Sequence, residues 1–377
     1  MINRLINEAE NPNTDFLDRP HCSPTSLNEE CLRKRFISKV LRWPESNSTN
    51  RESMHLGSFL HRVFELFHQS KKLRPEILGQ YRDMDNITLI QNGKNIRHDF
   101  MKLLVEISEV VMKEMNHLDF TPLHIQNRIE NFATLEIERL GLLAVCVGVQ
   151  KAIDDYFIPI RTEFEFITSG HIEHTESGRP IPYFDADDEY RMMGFIDYIR
   201  KCPGSLVGSL KAEILIAGDY KGLKNHACYY KGILRGSAKV GRKHERQAVY
   251  PHLIALQMPA GHPMEFLKEI EYYEIYYPGP LPQEKTNMKT GFWEFENEQP
   301  IYKNEIEGWE EGLQESYPNG CIVGPLPITR KIVNECWEQY DRYKKAFQTG
   351  VFPARESSFF DKTFCGYYYQ CRREFKW

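Results

Sequence analysis

The chain has 377 residues, 41% of them hydrophobic and 27% charged, with a formal net charge of −5. That length accommodates one large domain with additions or two modest ones, and the balance excludes a disordered or fibrous chain. No stretch reaches the roughly 20 apolar residues of a membrane-spanning helix, so no membrane partner is expected; a net negative chain can meet nucleic acid only through a local basic patch.

The opening residues, MINRLINEAENPNTDFLD, are polar and lack the apolar run of a secretory signal, so a cytoplasmic protein is expected. Residues 1–22 read as an irregular lead-in. From Ser23, a cap of the Ser/Thr type precedes Leu27, Cys31, Leu32 and Phe36 at helical spacing. Residues 42–53 read as a loop, and Leu56 to Phe67 as a helix with Leu60, Val63, Phe64 and Phe67 on one face. Further helices are predicted at 98–116 and 122–152.

The period then changes. Residues 160–168 and 192–200 alternate as strands do, and 213–222 has the apolar run of a buried strand ending in polar residues. A basic loop follows, with Lys221, Lys224, Lys231, Arg235, Lys239, Arg242, Lys243 and Arg246 against a single acid, Glu245. Next come a helix at about 244–258, a strand at 268–277 with 289–296 as a candidate partner, and helices at 303–315 and 329–348. This order predicts an α/β protein, a mixed sheet with a helical N-terminal region wrapped on it and no linker between independent domains.

Two carboxylates stand at the polar ends of apolar strands, in Gly194-Phe-Ile-Asp197 and in Gly218-Asp219-Tyr220-Lys221. Residues i and i+2 of a strand share a face, so Asp219 and Lys221 point the same way, and Asp197 joins them if its strand is adjacent. Neighbouring carboxylates stay charged at neutral pH only with a cation between them. Mg²⁺ suits such oxygen ligands, lowers the pKa of a bound water and neutralises phosphate charge. Taken singly, either motif reads first as an ordinary acid at a strand end or a surface Asp–Lys pair. Their order, with the basic loop beyond, favours the joint site.

In that order the motifs resemble the RecB-type branch of the PD-(D/E)XK nuclease superfamily. Gly57-Ser-Phe-Leu-His61-Arg-Val-Phe-Glu65 is similar to that family's Gly-x-x-x-His-x-x-x-Glu helix, Gly194-x-Ile-Asp197 to its acidic strand, and Asp219-Tyr220-Lys221 to its Asp/Glu-x-Lys element. The resemblance runs from about residue 23 to residue 371. It implies a restriction-endonuclease-like mixed sheet core flanked by helices. A single nuclease domain over 23–377 would have a helical part at about 23–155, a catalytic core at about 156–300 and a C-terminal helical, cysteine-bearing part at about 301–377.

The resemblance also implies residue roles. His61, Asp197, Asp219 and the Tyr220 carbonyl would hold Mg²⁺ or Mn²⁺, with Lys221 catalytic. Glu65 is either a support one turn beyond His61 or a surface acid. Glu163 or Glu165 would reach the metal through water. Gln247 and Tyr250 would position DNA or Lys221, although they stand three apart where the family usually shows four. Lys224, Arg242 and Lys243 of the basic loop would neutralise phosphates, and His226, Tyr229 and Tyr230 could stack on the bases of a frayed end.

Nine cysteines are spread too thinly for a disulfide framework. The segment from Ser23 through Cys31 to Phe36 resembles the opening of the family's iron–sulfur nucleases, which close with Cys-x-x-Cys-x5-Cys. Here Cys365 and Cys371 keep the last spacing, but Lys362 stands in the first cysteine's place. A [4Fe-4S] cluster on Cys31, Cys365 and Cys371 with Cys22 as substitute, a three-cysteine cluster, a zinc site, a lost site and plain packing of thiols all stay open.

No Gly-x-x-x-x-Gly-Lys-Ser/Thr loop occurs, so any helicase or recombination motor would be a separate subunit. The implied activity is metal-dependent hydrolysis of DNA phosphodiesters, foremost as an exonuclease on free or single-stranded ends in recombination, repair, replication or phage DNA processing. A structure-specific endonuclease, and a non-catalytic DNA-binding scaffold with the same fold, are the alternatives.

Overall fold

The computed structural model describes residues 23–27, 32–35, 37, 51–73, 75–115, 122–167, 172–174, 180–182, 193–221, 229–230, 233–234, 238–255, 265–278, 285–287, 292–296, 299–300, 321–349 and 351. Its centre is a mixed sheet of five strands: β1 (Arg161–Ile167), β2 (Met193–Pro203), β3 (Glu213–Tyr220), β4 (Ile270–Tyr277) and β5 (Cys321–Pro327), hydrogen-bonded in that order. The pairings of β1 with β2, β2 with β3 and β4 with β5 are antiparallel, and that of β3 with β4 is parallel. Five longer helices flank the sheet: α1 (Arg51–Leu73), α2 (Gly93–Glu114), α3 (Pro122–Val147), α4 (Ala238–Ala255) and α5 (Arg330–Thr349). The parallel step requires a crossover, and α4 supplies it between β3 and β4.

Different helices cover the two faces. Tyr198, Cys202, Ile214, Ile216, Tyr220 and Tyr276 point into a core shared with Phe59, Phe64 and Phe67 of α1, Phe100 and Leu104 of α2, and Phe132 of α3. Ile199, Ala217, Tyr273, Ile275 and Tyr277 point the other way, against Val249, Tyr250 and Leu253 of α4 and Ile332 and Cys336 of α5. β3 is thus covered on both faces, which is why it reads as a continuous apolar run rather than an alternation.

A buried ionic knot ties the α3 layer to the sheet. Glu274 of β4 accepts from Arg139 Nη1 at 2.6 and 2.7 Å and from the Tyr198 hydroxyl at 2.7 Å. Arg200 Nε lies 3.3 Å from the same carboxylate, and its guanidinium sits 4.2 Å from the Tyr198 ring centroid. Burial pushes the Glu274 carboxyl up, but the two guanidinium groups outweigh it and hold it below its ordinary value.

The three sheet strands predicted before the basic loop, and the strand at 268–277, lie where the periodicity places them. Other boundaries move. α1 begins at Arg51, inside the stretch read as loop, and α2 at Gly93, ahead of its predicted start at 98, with Ile96 already buried in the core. The helix predicted over 122–152 ends at Val147: Gly148 has φ of 82°, and a π-helical turn, Ala152–Phe157, follows. The segment from Ser23 to Phe36 holds two short helical turns, Pro24–Leu27 and Leu32–Arg35. Phe292–Glu296 pairs with Lys285–Asn287 and Gln299–Pro300 in a sheet of its own, not with β4. The partner of β4 on that side is β5, where Gly324 has φ of 116° and the register slips between Val323 and Leu326. Glycine and two prolines hide the strand from a period-2 reading, and proline is tolerated there because β5 is the edge. The helix predicted at 303–315 lies outside the described residues.

Among the described residues, no helix is long and apolar enough to cross a membrane.

Candidate functional site

The site forms where β2 and β3 part. Their register ends at Tyr198 opposite Gly218. One step further, the Tyr220 amide donates to Asp197 Oδ2 at 2.6 Å instead of to a backbone carbonyl. A side chain thus replaces a rung of the ladder and carries its carboxylate into the gap. Within a strand, a residue's carbonyl leaves on the same side as its amide, so the Tyr220 carbonyl also faces the Asp197 side.

The glycine of each strand motif has a packing reason. A Cβ on Gly194 would lie 2.8 Å from the Phe166 ring and 2.9 Å from Pro24 Cδ, and one on Gly218 would overlap the Tyr198 ring. Gly194 therefore lets the Pro24–Leu27 turn close over the start of β2. Gly218 lets Tyr198 lie flat across β3 to reach Glu274.

α1 brings His61 to the same place from the opposite layer. His61 Nδ1 lies 3.4 Å from Asp197 Oδ2 and 3.8 Å from Glu163 Oε1, with 31% of the His61 side chain exposed. Ligand atoms of His61, Glu163 and Asp197 all fall within 4.8 Å of one another, close enough to share one cation. Glu163 stands in β1 between the pairs Thr162–Tyr198 and Phe164–Ile196, facing Asp197, with φ of 45°. A non-glycine residue in the left-handed region costs free energy, and here it aims a carboxylate at the site.

Asp219 and Lys221 complete the floor. Lys221 Nζ lies 2.7 Å from Asp219 Oδ1 and 2.6 Å from Oδ2. His61, Asp197, Asp219 and Lys221, with Gln247 of α4, line one cavity of about 360 Å³.

The electrostatics follow from burial and proximity. For Asp197 burial alone would favour the neutral acid, but His61, Lys221 and the Tyr220 amide outweigh it and hold the carboxyl at about 2. Burial also opposes the charge on His61, and the Asp197 carboxylate overcomes it, raising the imidazole to about 10. Asp219 is pushed up to about 7, by burial first and by neighbouring Asp197, against the pull of Lys221. At neutral pH without metal, the imidazolium of His61 is the cation that balances Asp197, and Asp219 is part-protonated.

Tyr220 anchors this arrangement from behind. Its hydroxyl meets His68 Nε2 at 2.5 Å inside the α1–α3 core, and its ring packs beside Phe64, Phe132, Tyr198 and Tyr276. His68 lies on the same helix as His61, and both histidines lie beside Tyr220. His68 carries no sequence signal of its own beyond standing on α1.

Of the predicted site residues, His61, Asp197, Asp219, Lys221 and Gln247 meet in the cavity. Glu163 stands beside them, with Oε1 3.8 Å from His61 Nδ1. The Glu165 side chain lies outside the described residues. Glu65 is held by Arg62 at 2.7 Å and Gln69 at 3.0 Å, near enough to Glu163 for its charge to raise that carboxyl. Tyr250 is fully buried in the apolar core under α4.

The basic segment after Lys221 is not one loop. Tyr229–Tyr230 and Ile233–Leu234 pair as a short hairpin, and α4 already begins at Ala238. Lys224 and His226, and the side chains of Tyr229, Tyr230, Arg242 and Lys243, lie outside the described residues. So do Cys22, Cys31, Cys365 and Cys371. Cys146, Cys202 and Cys336 form no disulfide, Cys336 Sγ donates to the Arg246 carbonyl at 3.8 Å, and burial pushes Cys202 up to about 12.

No protein-family model matches the chain, and no curated protein matches it either.

Proposed function

We propose that the chain is a metal-dependent nuclease with a restriction-endonuclease-like core, acting in the cytoplasm foremost as an exonuclease at DNA ends. The observation that carries the reading is the meeting of His61, Asp197, Asp219 and Lys221 in one cavity, with the Glu163 carboxylate grouped beside His61 and Asp197. A buried acid pair beside a lysine is costly to assemble and is retained where a charged substrate or ion repays it.

The donor set fits a divalent cation. Carboxylate oxygens and an imidazole nitrogen converge within 4.8 Å, and the protonated His61 now fills the electrostatic role a metal would take. His61, Asp197 and Glu163 would hold Mg²⁺ or Mn²⁺, with Asp219 and the Tyr220 carbonyl completing the set. Such an ion would supply Lewis-acid stabilisation of the phosphate and a water of lowered pKa.

The chain's own residues do the remainder. Lys221, fixed on Asp219, orients the attacking water or takes its proton and stabilises the charge that grows on the phosphate oxygens. The Tyr220 amide, with His61 and Lys221, favours the ionised form of Asp197. Gln247 faces the substrate strand from α4.

End-labelled linear and closed circular DNA, incubated with Mg²⁺ or Mn²⁺, test the reading. Progressive release of label from linear ends with circles intact is the expected result. Cleavage of circles would replace the exonuclease by an endonuclease, and binding without cleavage of either would leave a scaffold.

A further inference from the structure

The polar floor of the cavity leaves one wall unexplained. Phe195 lies between Gly194 and Ile196 on β2, two residues before Asp197, and lines the same cavity. Its neighbours on the strand are buried, yet Phe195 is 50% exposed. Pro24 and Pro251 lie on the cavity wall with it, so the space has an apolar side and a charged side. An exposed phenylalanine on a surface is ordinary; one placed beside a cation-binding cluster and Lys221 answers to a ligand that is both apolar and anionic.

A nucleotide has that shape of chemistry. Its phosphate would meet Lys221 and His61, and its base, which carries a flat π-face whatever its identity, would meet the aromatic ring. A base stacked inside a duplex cannot turn its face to a protein side chain, so this contact is available only to an unpaired strand or a frayed end. We infer that Phe195 is the stacking residue for the base next to the scissile phosphate, and that it makes single-stranded nucleic acid the preferred substrate of this site. The inference rests on the nuclease reading for its phosphate, but the stacking contact is measured separately from cleavage.

Binding is read by fluorescence anisotropy of a labelled single-stranded oligonucleotide in excess EDTA, beside the same strand with abasic nucleotides at its end. Phe195→Ala should bind the base-bearing strand about tenfold more weakly than the parent. It should bind the abasic strand as the parent does. Phe195→Trp should restore binding, and Phe195→Leu, apolar but without a π-face, should not. Equal binding of the base-bearing strand by parent and Phe195→Ala overturns the inference, as does a parent that binds no single strand or favours duplex. Parent-like binding of the abasic strand by Phe195→Ala, with rescue by Phe195→Trp, excludes misfolding as the cause. Cleavage by the same proteins with Mn²⁺ is scored apart. A parent that binds with the predicted preference but never cuts removes the nuclease reading alone, and a parent that cuts with Phe195→Ala unchanged in both assays removes the stacking role alone.

Discussion

The backbone amide of Tyr220 donates to the Asp197 carboxylate over 2.6 Å, and that one bond joins the strand carrying Asp219 and Lys221 to the strand carrying Asp197. It stands where a β-ladder rung would be, so opening the sheet and placing the acid are the same event. The hydroxyl end of the same tyrosine is held by His68 on α1, the helix that delivers His61. The acids, the lysine and the histidine are therefore positioned by one residue seen from its two ends.

Loss of the rear anchor is expected to loosen the site without emptying it. His68→Phe leaves the buried Tyr220 hydroxyl without that partner, at a cost of about 1–3 kcal/mol in chemical denaturation. If the nuclease reading is right, kcat falls while KM changes little, because the substrate-facing groups remain. A variant as stable as the parent would show that the His68 contact is incidental.

Metal binding should release protons. His61 holds its proton up to about pH 10 and Asp219 up to about 7, so an ion that takes both groups displaces about one to two protons near neutrality. Mn²⁺ titrations by calorimetry in two buffers of different ionisation enthalpy read this directly. Affinity is expected to fall as pH drops below about 7, where Asp219 gains its proton, and His61→Ala should release about one proton fewer. An identical heat in both buffers would refute the ligand set.

Asp219 should cost the fold stability at alkaline pH. Its carboxyl rises from 3.8 to about 7 on folding, so the folded chain holds the proton more tightly than the unfolded one. The associated stability is complete below pH 3.8 and is lost as pH rises through about 7. Asp219→Asn removes this dependence. It should be more stable than the metal-free parent at pH 8, by up to about 4 kcal/mol, with the advantage gone at pH 3 to 4. Thermal unfolding in EDTA across that range measures it, and a variant less stable at pH 8 would contradict it.

The ionic knot is expected to be structural and intolerant. Glu274→Gln would leave Arg139 and Arg200 buried without their carboxylate, a change of about 3–5 kcal/mol. Urea denaturation should show it, with a parallel loss for Arg139→Met. A loss below 1 kcal/mol would mean that the two guanidinium groups find other partners.

Legibility from sequence followed locality. Asp219 and Lys221 are two apart on a strand, and each glycine of Gly194-x-x-Asp197 and Gly218-Asp219 stands where a side chain would collide with a neighbour, so these elements survive in the primary structure as readable patterns. Glu163 was not separable from Glu165 by alternation, since both share a face of β1; the positive φ at Glu163 is a tertiary outcome with no residue signature, as glutamate is not a left-handed residue by preference. Tyr250 shares a helical face with Gln247, but helical spacing says nothing of where core ends and cavity begins. β5 was hidden by Gly324, Pro325 and Pro327, residues that an edge strand accepts and a period-2 search rejects.

The central claim concerns the Asp219–Lys221 pair. The direct measurement is hydrolysis of end-labelled single-stranded DNA with Mn²⁺ by the parent, Asp219→Ala and Lys221→Ala, each first shown folded by its thermal transition. The account predicts cleavage by the parent, and at least a hundredfold less by either variant, with DNA binding in EDTA retained by Asp219→Ala. Cleavage by both variants at the parent's rate would contradict it.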